Sequence, residues 1–389
     1  MIPYGRQSIS EEDIAAVVSV LRGEWLTQGP TVNAFEQAVS NYCGVSHAVA
    51  VNSATSALHL ACLALDVGPG DIVWTVPNTF VASANCARYC GAEVDFVDID
   101  QQTLCMSIEA LSKKLEDCRS HGRPLPSVLI PVHFGGQSCD MAAIAVLATL
   151  YGFQVIEDAS HAIGATYQGK PVGDCRFSDI CIFSFHPVKV ITSGEGGMAV
   201  TNDPALAKRM MRLRSHGITR DRDEMENTEA GAWYYEQIEL GMNYRMTDIQ
   251  AALGLSQLNR LDQFVLRRNQ LAARYDAAFE GLNIQTQHII SDAYSARHLY
   301  VIRVPAAQHE FLFSELRSAD IGVNLHYFPV HLQPYYQRLG FGAGYCPSAE
   351  QYAKEAISLP LYPGMTDAQQ AIVIDTVKIL LNSFIAEPA

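Results

Sequence analysis

The sequence has little of what marks nucleic-acid-binding or exported proteins. Its 389 residues include only 27 Lys and Arg against 41 Asp and Glu, a formal net charge of −14. Because nucleic-acid phosphates attract clustered positive charge, an acidic chain without a Lys/Arg cluster is a poor candidate for binding DNA or RNA. Residues 1–6 do not resemble a signal peptide. We therefore expect a cytoplasmic protein that does not bind nucleic acid.

Cysteine pairs with metal-ligand spacing and long apolar runs are also lacking. None of the ten cysteines forms a Cys-x-x-Cys pair, which favours buried free thiols in a reducing compartment over a metal site. The longest apolar stretch, residues 141–156, breaks at Tyr151-Gly152 into a helix capped by Asp140 and a strand. It therefore predicts no membrane span.

Several phosphate-binding and hydrolase motifs do not occur. No Gly-x-Gly-x-x-Gly follows a strand, and the chain has neither a P-loop nor a Gly-x-Ser-x-Gly elbow. A dinucleotide-binding function would therefore lack its usual phosphate loop. Hydrophobic residues make up 49% of the chain, which is enough for more than one core.

Strand-like and helical segments alternate through the first half of the chain. We predict helices over 11–22, 31–42, 79–90 and 140–151, and strands over 48–51, 71–76, 93–98, 127–132, 153–157 and 180–183. This alternation predicts a mostly parallel, doubly wound α/β sheet. Ligands bind beyond the carboxyl ends of such strands, where the sequence places Ser53, Asn78, His133, Asp158 and Ser184.

The pattern changes near residue 246. A long helical stretch over 247–279 leads into shorter segments rich in proline. We interpret this change as two domains, a large α/β domain over residues 1–250 and a smaller α+β domain over 251–389.

Lys189 is the first candidate for chemistry. It closes Ser-Phe-His-Pro-Val-Lys at 184–189, after the apolar run 180–183 and before a Gly-rich segment at 192–197. Lysine amines form Schiff bases with carbonyls once burial or nearby charge lowers their pKa from about 10. The alternative is a solvated surface lysine, as most lysines are.

Other candidates follow strand ends. Ser53-Ala54-Thr55-Ser56 begins a helix, whose N-terminus favours a phosphate, although Ser53 could simply cap its own helix. Ser184 could donate to the same phosphate. Asp158 could pair with a protonated ring nitrogen, or could cap a helix.

Two aromatic residues have open roles on the residues alone. His161 is either a packed core histidine or a catalytic group. Phe80 could stack on a planar ring, although core packing is the more common role of such a residue.

Taken together and in this order, these segments resemble the DegT/DnrJ/EryC1/StrS family of nucleotide-sugar aminotransferases. The resemblance extends over nearly the whole chain and is carried by residues 26–30, 53–58, 133–137, 157–159, 184–189, 194–197, 243–246 and 326–327. It implies the type I fold of transferases that depend on pyridoxal 5'-phosphate (PLP). It also implies a homodimer whose active site is shared between subunits.

The resemblance also implies roles for the candidate residues. Lys189 would form the Schiff base with PLP and later move a proton between the sugar C4 and the cofactor. Asp158 would pair with the pyridinium nitrogen, and Phe80 would stack on the ring. His161 stands where many relatives carry glutamine and would bond the ring hydroxyl. The dehydratase relatives replace the lysine by histidine, so Lys189 favours transamination.

Further residues would hold the phosphate, and a separate substrate would supply the amine. The resemblance implies that Ala54, Thr55 and Ser184 bind the phosphate, and that Asn243 reaches it from the neighbouring subunit. L-glutamate would convert the cofactor to its pyridoxamine 5'-phosphate (PMP) form, which then aminates a keto sugar.

Within the family, the chain looks most like the 4-aminotransferases of pseudaminic acid biosynthesis. The implied substrate is a UDP-linked 4-keto-6-deoxy-N-acetyl-L-altrosamine-type sugar. Alternatives are the same chemistry on a perosamine- or bacillosamine-type keto sugar, and a catalytically silent regulator of the same fold. The expected substrate contacts are Tyr4, Glu24, Trp25, Leu26, Thr27, Ala54, Ser184, Asn243, His326, Tyr327, Phe328 and Pro329.

Overall fold

The computed structural model describes residues 1–227 and 231–385. Its strands are β1 His47–Val51, β2 Ile72–Thr75, β3 Glu93–Phe96, β4 Val128–Ile130, β5 Gln154–Asp158, β6 Thr166–Tyr167, β7 Lys170–Pro171, β8 Ile180–Ser184, β9 Gly197–Thr201, β10 Ile218–Thr219, β11 Glu236–Gln237, β12 Gln285–Thr286, β13 Ala293–Tyr294, β14 Tyr300–Arg303 and β15 Ala356–Leu359. Its α-helices are α1 Glu11–Arg22, α2 Pro30–Cys43, α3 Ala54–Ala64, α4 Ala82–Tyr89, α5 Ile108–Ser120, α6 Met141–Tyr151, α7 Pro204–Leu213, α8 Asp248–Leu258, α9 Leu261–Phe279, α10 Ala306–Ser318, α11 Pro334–Gln337, α12 Pro347–Glu355 and α13 Asp367–Ile385.

A seven-stranded sheet organises the first two hundred residues in the order β1-β9-β8-β5-β4-β2-β3. Strands β8, β5, β4, β2 and β3 pair in parallel, whereas β9 runs antiparallel between β1 and β8. The prediction of a mostly parallel α/β sheet is therefore confirmed. Because β9 is reversed, its first residue Gly197 lies between the last residues of β1 and β8, Val51 and Ser184.

Both faces of this sheet are covered, as parallel sheets require. In β8 the residues alternate: Ile180 and Ile182 belong to one hydrophobic cluster, and Cys181 and Phe183 belong to another. This period of two is the strand repeat. Consequently the helices pack on two sides, and polar side chains that follow the strand ends gather at one edge.

A separate core occupies the C-terminal part. The antiparallel sheet β12-β14-β15 packs with α9, α10 and α13 around residues such as Leu271, Tyr300 and Ile357. Within α9, Val265 still belongs to the core of the large sheet, whereas Leu271 belongs to the C-terminal core. The change of core thus falls inside α9, and the domain boundary at residue 250 stays a prediction.

The single helix predicted over 247–279 is wrong in one respect. Helix α8 ends at Leu258 and α9 begins at Leu261, with Arg260 outside helical geometry at φ −110° and ψ 4°. At this break the Arg260 guanidinium bonds to the Asp13 carboxylate and donates to the Ser8 carbonyl at 3.1 Å. The break therefore lets the helix pair hold the N-terminal segment, a contact that helical periodicity does not reveal.

Across residues 1–227 and 231–385, no helix is both long enough and apolar enough to cross a bilayer.

Candidate active site

Lys189 lies in the loop that connects β8 to β9. Its N–H donates to the His186 carbonyl at 2.9 Å and closes a tight turn. The loop is tied at its base, where the Phe185 carbonyl accepts from Ser193 N–H and from Thr192 Oγ1, each at 3.0 Å. These bonds hold the lysine turn at the edge where the parallel strands end.

The amine of Lys189 lies in surroundings that change its acidity. Burial lowers the pKa of Lys189 from its usual value to about 8, and the negative charge of Asp158 partly offsets this effect. An amine with this pKa is neutral in a much larger fraction near pH 7 than an exposed lysine, and only the neutral amine is a nucleophile.

Asp158 is the last residue of β5 and is buried. Its two carboxylate oxygens accept from Ser83 Oγ at 2.6 Å and from Ser160 N–H at 3.1 Å. Ser83 in turn lies 2.8 Å from Thr79 Oγ1. The sequence reasoning missed Ser83, because it lies 75 positions away from its partner and only the packing of α4 against the sheet joins them.

His161 is buried and has a partner on each ring nitrogen. Its Nδ1 accepts from Gly135 N–H at 3.3 Å, and its Nε2 lies 3.0 Å from Tyr327 Oη. Burial first, and then the charge of Lys189, hold the pKa of His161 well below its usual range. The structure therefore places a neutral histidine beside Lys189, joined to the predicted substrate contact Tyr327.

A second histidine, His298, was not predicted. Its ring centroid lies 4.4 Å from that of His161, and its buried Nδ1 has no hydrogen-bond partner among the described residues. Burial, with His161 and Lys189 nearby, also holds the pKa of His298 well below its usual range. Its position after β13 carries no sequence motif that could have indicated the site.

The N-terminus of α3 forms the next wall. Ser53 caps this helix, since its Oγ accepts from Ser56 N–H at 3.2 Å, so the capping role that the sequence left open is present. The first helical residues are Ala54 and Thr55. Gly197 of β9 packs so closely that a Cβ there would lie 2.5 Å from Ala54 N. The close approach sets the helix N-terminus directly beside the strand edge that carries Ser184.

Phe80 and the segment around His326 complete the pocket. The Phe80 side chain is 59% exposed, so its ring does not pack in the core, and its centroid lies 6.4 Å from Tyr327. His326 is buried, bonds Ser358 Oγ at 2.8 Å, and has its pKa lowered to about 4 by burial and by Lys189. Its ring centroid lies 5.4 Å from that of Tyr4.

Other predicted contacts lie apart from this group. Residues 24–27 are exposed, and so are Asn243 and Phe328, whereas Pro329 is buried. Asn243 pairs through its backbone with Ser215. Within the described residues of one chain, no hydrogen bond or β-bridge joins Asn243 or residues 24–27 to Lys189. The structure of one chain therefore brings together Lys189, Asp158, His161, Tyr327, His326, Tyr4 and Phe80. Residues 24–27, Asn243 and Phe328 are exposed and lie outside this group.

Comparison with known proteins gives relatives that match along nearly the full length. The spore coat polysaccharide biosynthesis protein SpsC of Bacillus subtilis (strain 168) is 41% identical over 388 residues, covering 98% of this chain and 97% of SpsC. The UDP-4-amino-4,6-dideoxy-N-acetyl-beta-L-altrosamine transaminase of Campylobacter jejuni (strain 81-176) is 40% identical over 386 residues, covering 98% of each.

A solved structure and a family description agree with these relatives. Helicobacter pylori PseC, an aminotransferase involved in pseudoaminic acid biosynthesis, superposes with a TM-score of 0.89 at 30% identity, covering 98% of this chain and all of PseC. Residues 7–378 match the sequence model of the DegT/DnrJ/EryC1/StrS aminotransferase family. The resemblance seen in the sequence is confirmed: the chain belongs to the DegT/DnrJ/EryC1/StrS aminotransferase family.

Proposed function

We propose that this protein is a PLP-dependent aminotransferase that moves an amino group from L-glutamate to C4 of a UDP-linked 4-keto-6-deoxy-N-acetyl-L-altrosamine-type sugar. The single observation that carries the chemistry is that the Lys189 amine lies close enough to Asp158 to feel the charge of its carboxylate. Burial lowers the pKa of the amine to about 8, and a buried carboxylate at the end of the adjacent strand acts on it through its charge.

The residues of the pocket fit PLP. Asp158 would pair with the ring nitrogen, and the exposed ring of Phe80 is free to stack on the cofactor. The N-terminus of α3 at Ala54 and Thr55, beside Ser184, suits a phosphate because first-turn N–H groups and the helix dipole favour negative charge. When bound, PLP supplies an electron sink for negative charge at the carbon that exchanges its amine.

The side chains of this protein would perform the remaining work. Lys189 is a strong enough base near pH 8 to take a proton and a weak enough one to return it. Two hydrogen bonds, from Ser83 Oγ and from Ser160 N–H, hold the Asp158 carboxylate in the position from which it would meet a protonated ring nitrogen. Burial keeps His161, His298 and His326 neutral near pH 7, so none adds a positive charge beside the amine.

The choice of sugar rests on the relatives. A 40% identical relative is an altrosamine transaminase, and PseC has the same fold over its full length. The similar identity of SpsC, a spore coat polysaccharide protein, supports a second candidate in which the same chemistry acts on another nucleotide 4-keto sugar. Turnover of matched keto sugars of the altrosamine, perosamine and bacillosamine types, with L-glutamate as donor, would separate the two. A higher kcat/KM on either alternative sugar would replace the first assignment.

The chemistry itself can be tested without any sugar. Purified protein is incubated with PLP, reduced with borohydride, digested, and analysed by mass spectrometry. We expect PLP on the peptide that contains Lys189, and conversion of the visible PLP absorption to that of PMP when L-glutamate replaces the borohydride. Lys189→Ala should lose the covalent label, while the control Lys170→Ala, at an exposed position in β7, should keep it. Absence of the label in the wild type would favour the silent regulator.

We also propose that the active enzyme is a homodimer with Asn243 contributed by the neighbouring subunit. Asn243 is exposed on the single chain. It lies in a segment whose next residues are tied to the end of β1, since Asn52 N–H donates to the Tyr244 carbonyl at 2.9 Å. This position presents the side chain outward from its own subunit.

A further inference from the structure

Three groups form a hydrogen-bonded chain that ends in the pocket beside Lys189. Gly135 N–H donates to His161 Nδ1 at 3.3 Å, and His161 Nε2 lies 3.0 Å from Tyr327 Oη. The first group is held firmly: Gly135 has φ 67°, and a Cβ there would lie 2.7 Å from Gln287 Oε1. The start of the chain is therefore a backbone donor whose direction cannot reverse.

The direction of the second bond follows from the first. A backbone N–H only donates, so His161 Nδ1 must present its lone pair. Burial and the neighbouring Lys189 hold the pKa of His161 well below its usual range, so the ring is neutral near pH 7 and carries one proton. That proton must be on Nε2, which then donates to Tyr327 Oη.

Tyr327 consequently accepts with its oxygen and retains its own proton for another partner. Among the described residues, no other hydrogen bond of Tyr327 Oη is found. Burial and the negative charge of Asp158 raise the pKa of Tyr327, so the hydroxyl stays protonated. The backbone N–H of Tyr327 donates to Asn78 Oδ1 at 3.1 Å, which fixes the residue at the pocket wall.

We propose that the chain from Gly135 through His161 makes Tyr327 a hydrogen-bond donor to an oxygen acceptor of the ligand that Lys189 engages. This inference rests on the proposed function, and it specifies that Tyr327 donates the hydrogen bond in its contact with the ligand. Two groups could provide this acceptor: the oxygen of the hydroxyl group on the PLP ring, and a carbonyl or hydroxyl oxygen of the sugar. Tyr327 is the ligand-binding residue and His161 is the positioning residue, which replaces the direct bond from His161 to the ring hydroxyl that the resemblance implied.

Three variants test the direction of the chain. Tyr327→Phe removes only the hydroxyl. His161→Gln can still accept from Gly135 with its carbonyl oxygen and donate to Tyr327 with its amide, so it preserves the direction. His161→Glu is nearly the same size and, when ionised, can only accept, so Tyr327 would donate to it and lose its free proton. Thermal unfolding of each variant checks that the fold is kept.

We measure PLP affinity by absorbance titration, and kcat and KM for the keto sugar separately. If the acceptor belongs to PLP, Tyr327→Phe and His161→Glu each weaken PLP binding by about 10- to 100-fold, the cost of one hydrogen bond to a charged or polar acceptor, while His161→Gln stays within about 3-fold. If the acceptor belongs to the sugar, PLP affinity is unchanged and the same loss appears in kcat/KM. In either case the affected quantity, PLP affinity or kcat/KM, should be no lower in the double variant Tyr327→Phe/His161→Glu than in Tyr327→Phe alone.

Two results would overturn the proposal. The first is equal behaviour of His161→Gln and His161→Glu, and the second is an unchanged Tyr327→Phe in both assays. A readout that needs no cofactor is nitrogen-15 NMR of labelled histidines, with the His161→Gln spectrum subtracted. We expect His161 to carry its proton on Nε2. A proton on Nδ1 would contradict the proposed hydrogen-bonded chain, whether or not the protein binds PLP. Failure to bind PLP, by contrast, would contradict only the proposed function.

Discussion

At the scale of single residues, the site depends on charges placed where water is scarce. Lys189 and Asp158 are 31 positions apart in the chain. Burial lowers the pKa of Lys189, and the negative charge of Asp158 raises it. Neither effect can be read from the amino-acid types alone, since the pKa of an exposed lysine beside an exposed aspartate would barely change. Two residue-scale predictions follow from this balance and from the bond that holds Asp158.

The first concerns the pH at which Lys189 becomes reactive. In cofactor-free protein, acylation of Lys189 by acetic anhydride, followed by peptide mass spectrometry, should rise with pH through a midpoint near pH 8 and level off at higher pH. Because Asp158 raises the pKa of Lys189, Asp158→Asn should move the midpoint to lower pH. The exposed Lys170 serves as reference within the same sample. A midpoint that stays in place or moves upward would contradict the coupling.

The second concerns Ser83, whose hydroxyl donates to Asp158 at 2.6 Å. Ser83→Ala leaves a buried carboxylate oxygen without this partner, which costs about 1.5–3 kcal/mol of folding stability. Because the Asp158 carboxylate is then less well oriented toward a ring nitrogen, we expect PLP to bind roughly 10-fold more weakly. The matched control is Ser40→Ala, another buried serine, whose hydroxyl donates to the Val45 carbonyl far from the site. Equal PLP affinity in both variants would remove Ser83 from its role.

At the scale of elements, the site is a meeting of strand ends with one helix N-terminus. The antiparallel β9 matters most here, because Gly197 lies between Val51 and Ser184 and contacts the start of α3. A side chain at this point would separate the helix from the sheet edge, since the atoms it would meet are backbone atoms, which cannot turn aside.

Gly197→Ala therefore tests how the helix is positioned. We expect a loss of about 1–3 kcal/mol in unfolding free energy from overpacking, together with weaker PLP binding, measured by denaturant titration and by absorbance. Gly364→Ala, where an added Cβ meets nothing within 4 Å, should change neither quantity. Wild-type PLP affinity in Gly197→Ala would show that the close approach does not shape the phosphate site.

At the scale of the whole molecule, distant parts of the chain are joined by buried polar contacts. Asp13 of α1 is fully buried and accepts from Ser256 Oγ and Gln257 Nε2, both at 2.6 Å, and from the Arg260 guanidinium. These bonds attach the N-terminal helix to α8 and to the break before α9. The segment that carries Tyr4 is thereby anchored on its C-terminal side, and on its N-terminal side Ile2 N–H donates to the Asp320 carbonyl at 2.8 Å.

Asp13→Ala should consequently destabilise the molecule by about 2–4 kcal/mol, because it removes the fully buried carboxylate that accepts hydrogen bonds from Ser256, Gln257 and Arg260. Denaturant-induced unfolding measures the change. Glu11→Ala is the control, since Glu11 lies in the same first turn but is exposed. A loss below 1 kcal/mol in Asp13→Ala would contradict the anchoring role.

A complementation experiment tests the shared site. Lys189→Ala and Asn243→Ala should each be inactive alone. If Asn243 acts in the partner's site, a mixture unfolded and refolded together should recover about one quarter of wild-type activity, because half of the dimers are mixed and each holds one intact site. No recovery, in mixtures shown to contain mixed dimers, would place Asn243 in its own subunit's site, whereas an Asn243→Ala variant that is active alone would place it outside both sites.

The sequence by itself determined the parallel α/β architecture and the edge at which Lys189, Asp158 and Ser184 meet. Local patterns suffice for this, because an apolar run followed by a polar residue marks a strand end, and parallel strand ends share one edge. The motifs in order also determined the family. Helical periodicity, by contrast, did not predict the break at Arg260, since the cause is a contact with Asp13 nearly 250 positions earlier.

Only the tertiary structure decided which groups support the site. Ser83 and His298 have no motif. Ser83 enters because α4 packs against the end of β5, and His298 enters because the segment after β13 packs against His161. It also decided the charge states, because the low pKa values of Lys189 and His161 come from burial, and burial depends on every element around the pocket. Local sequence encodes strands and helices through nearby backbone and side-chain preferences, whereas desolvation and long-range hydrogen bonds exist only once the chain has folded.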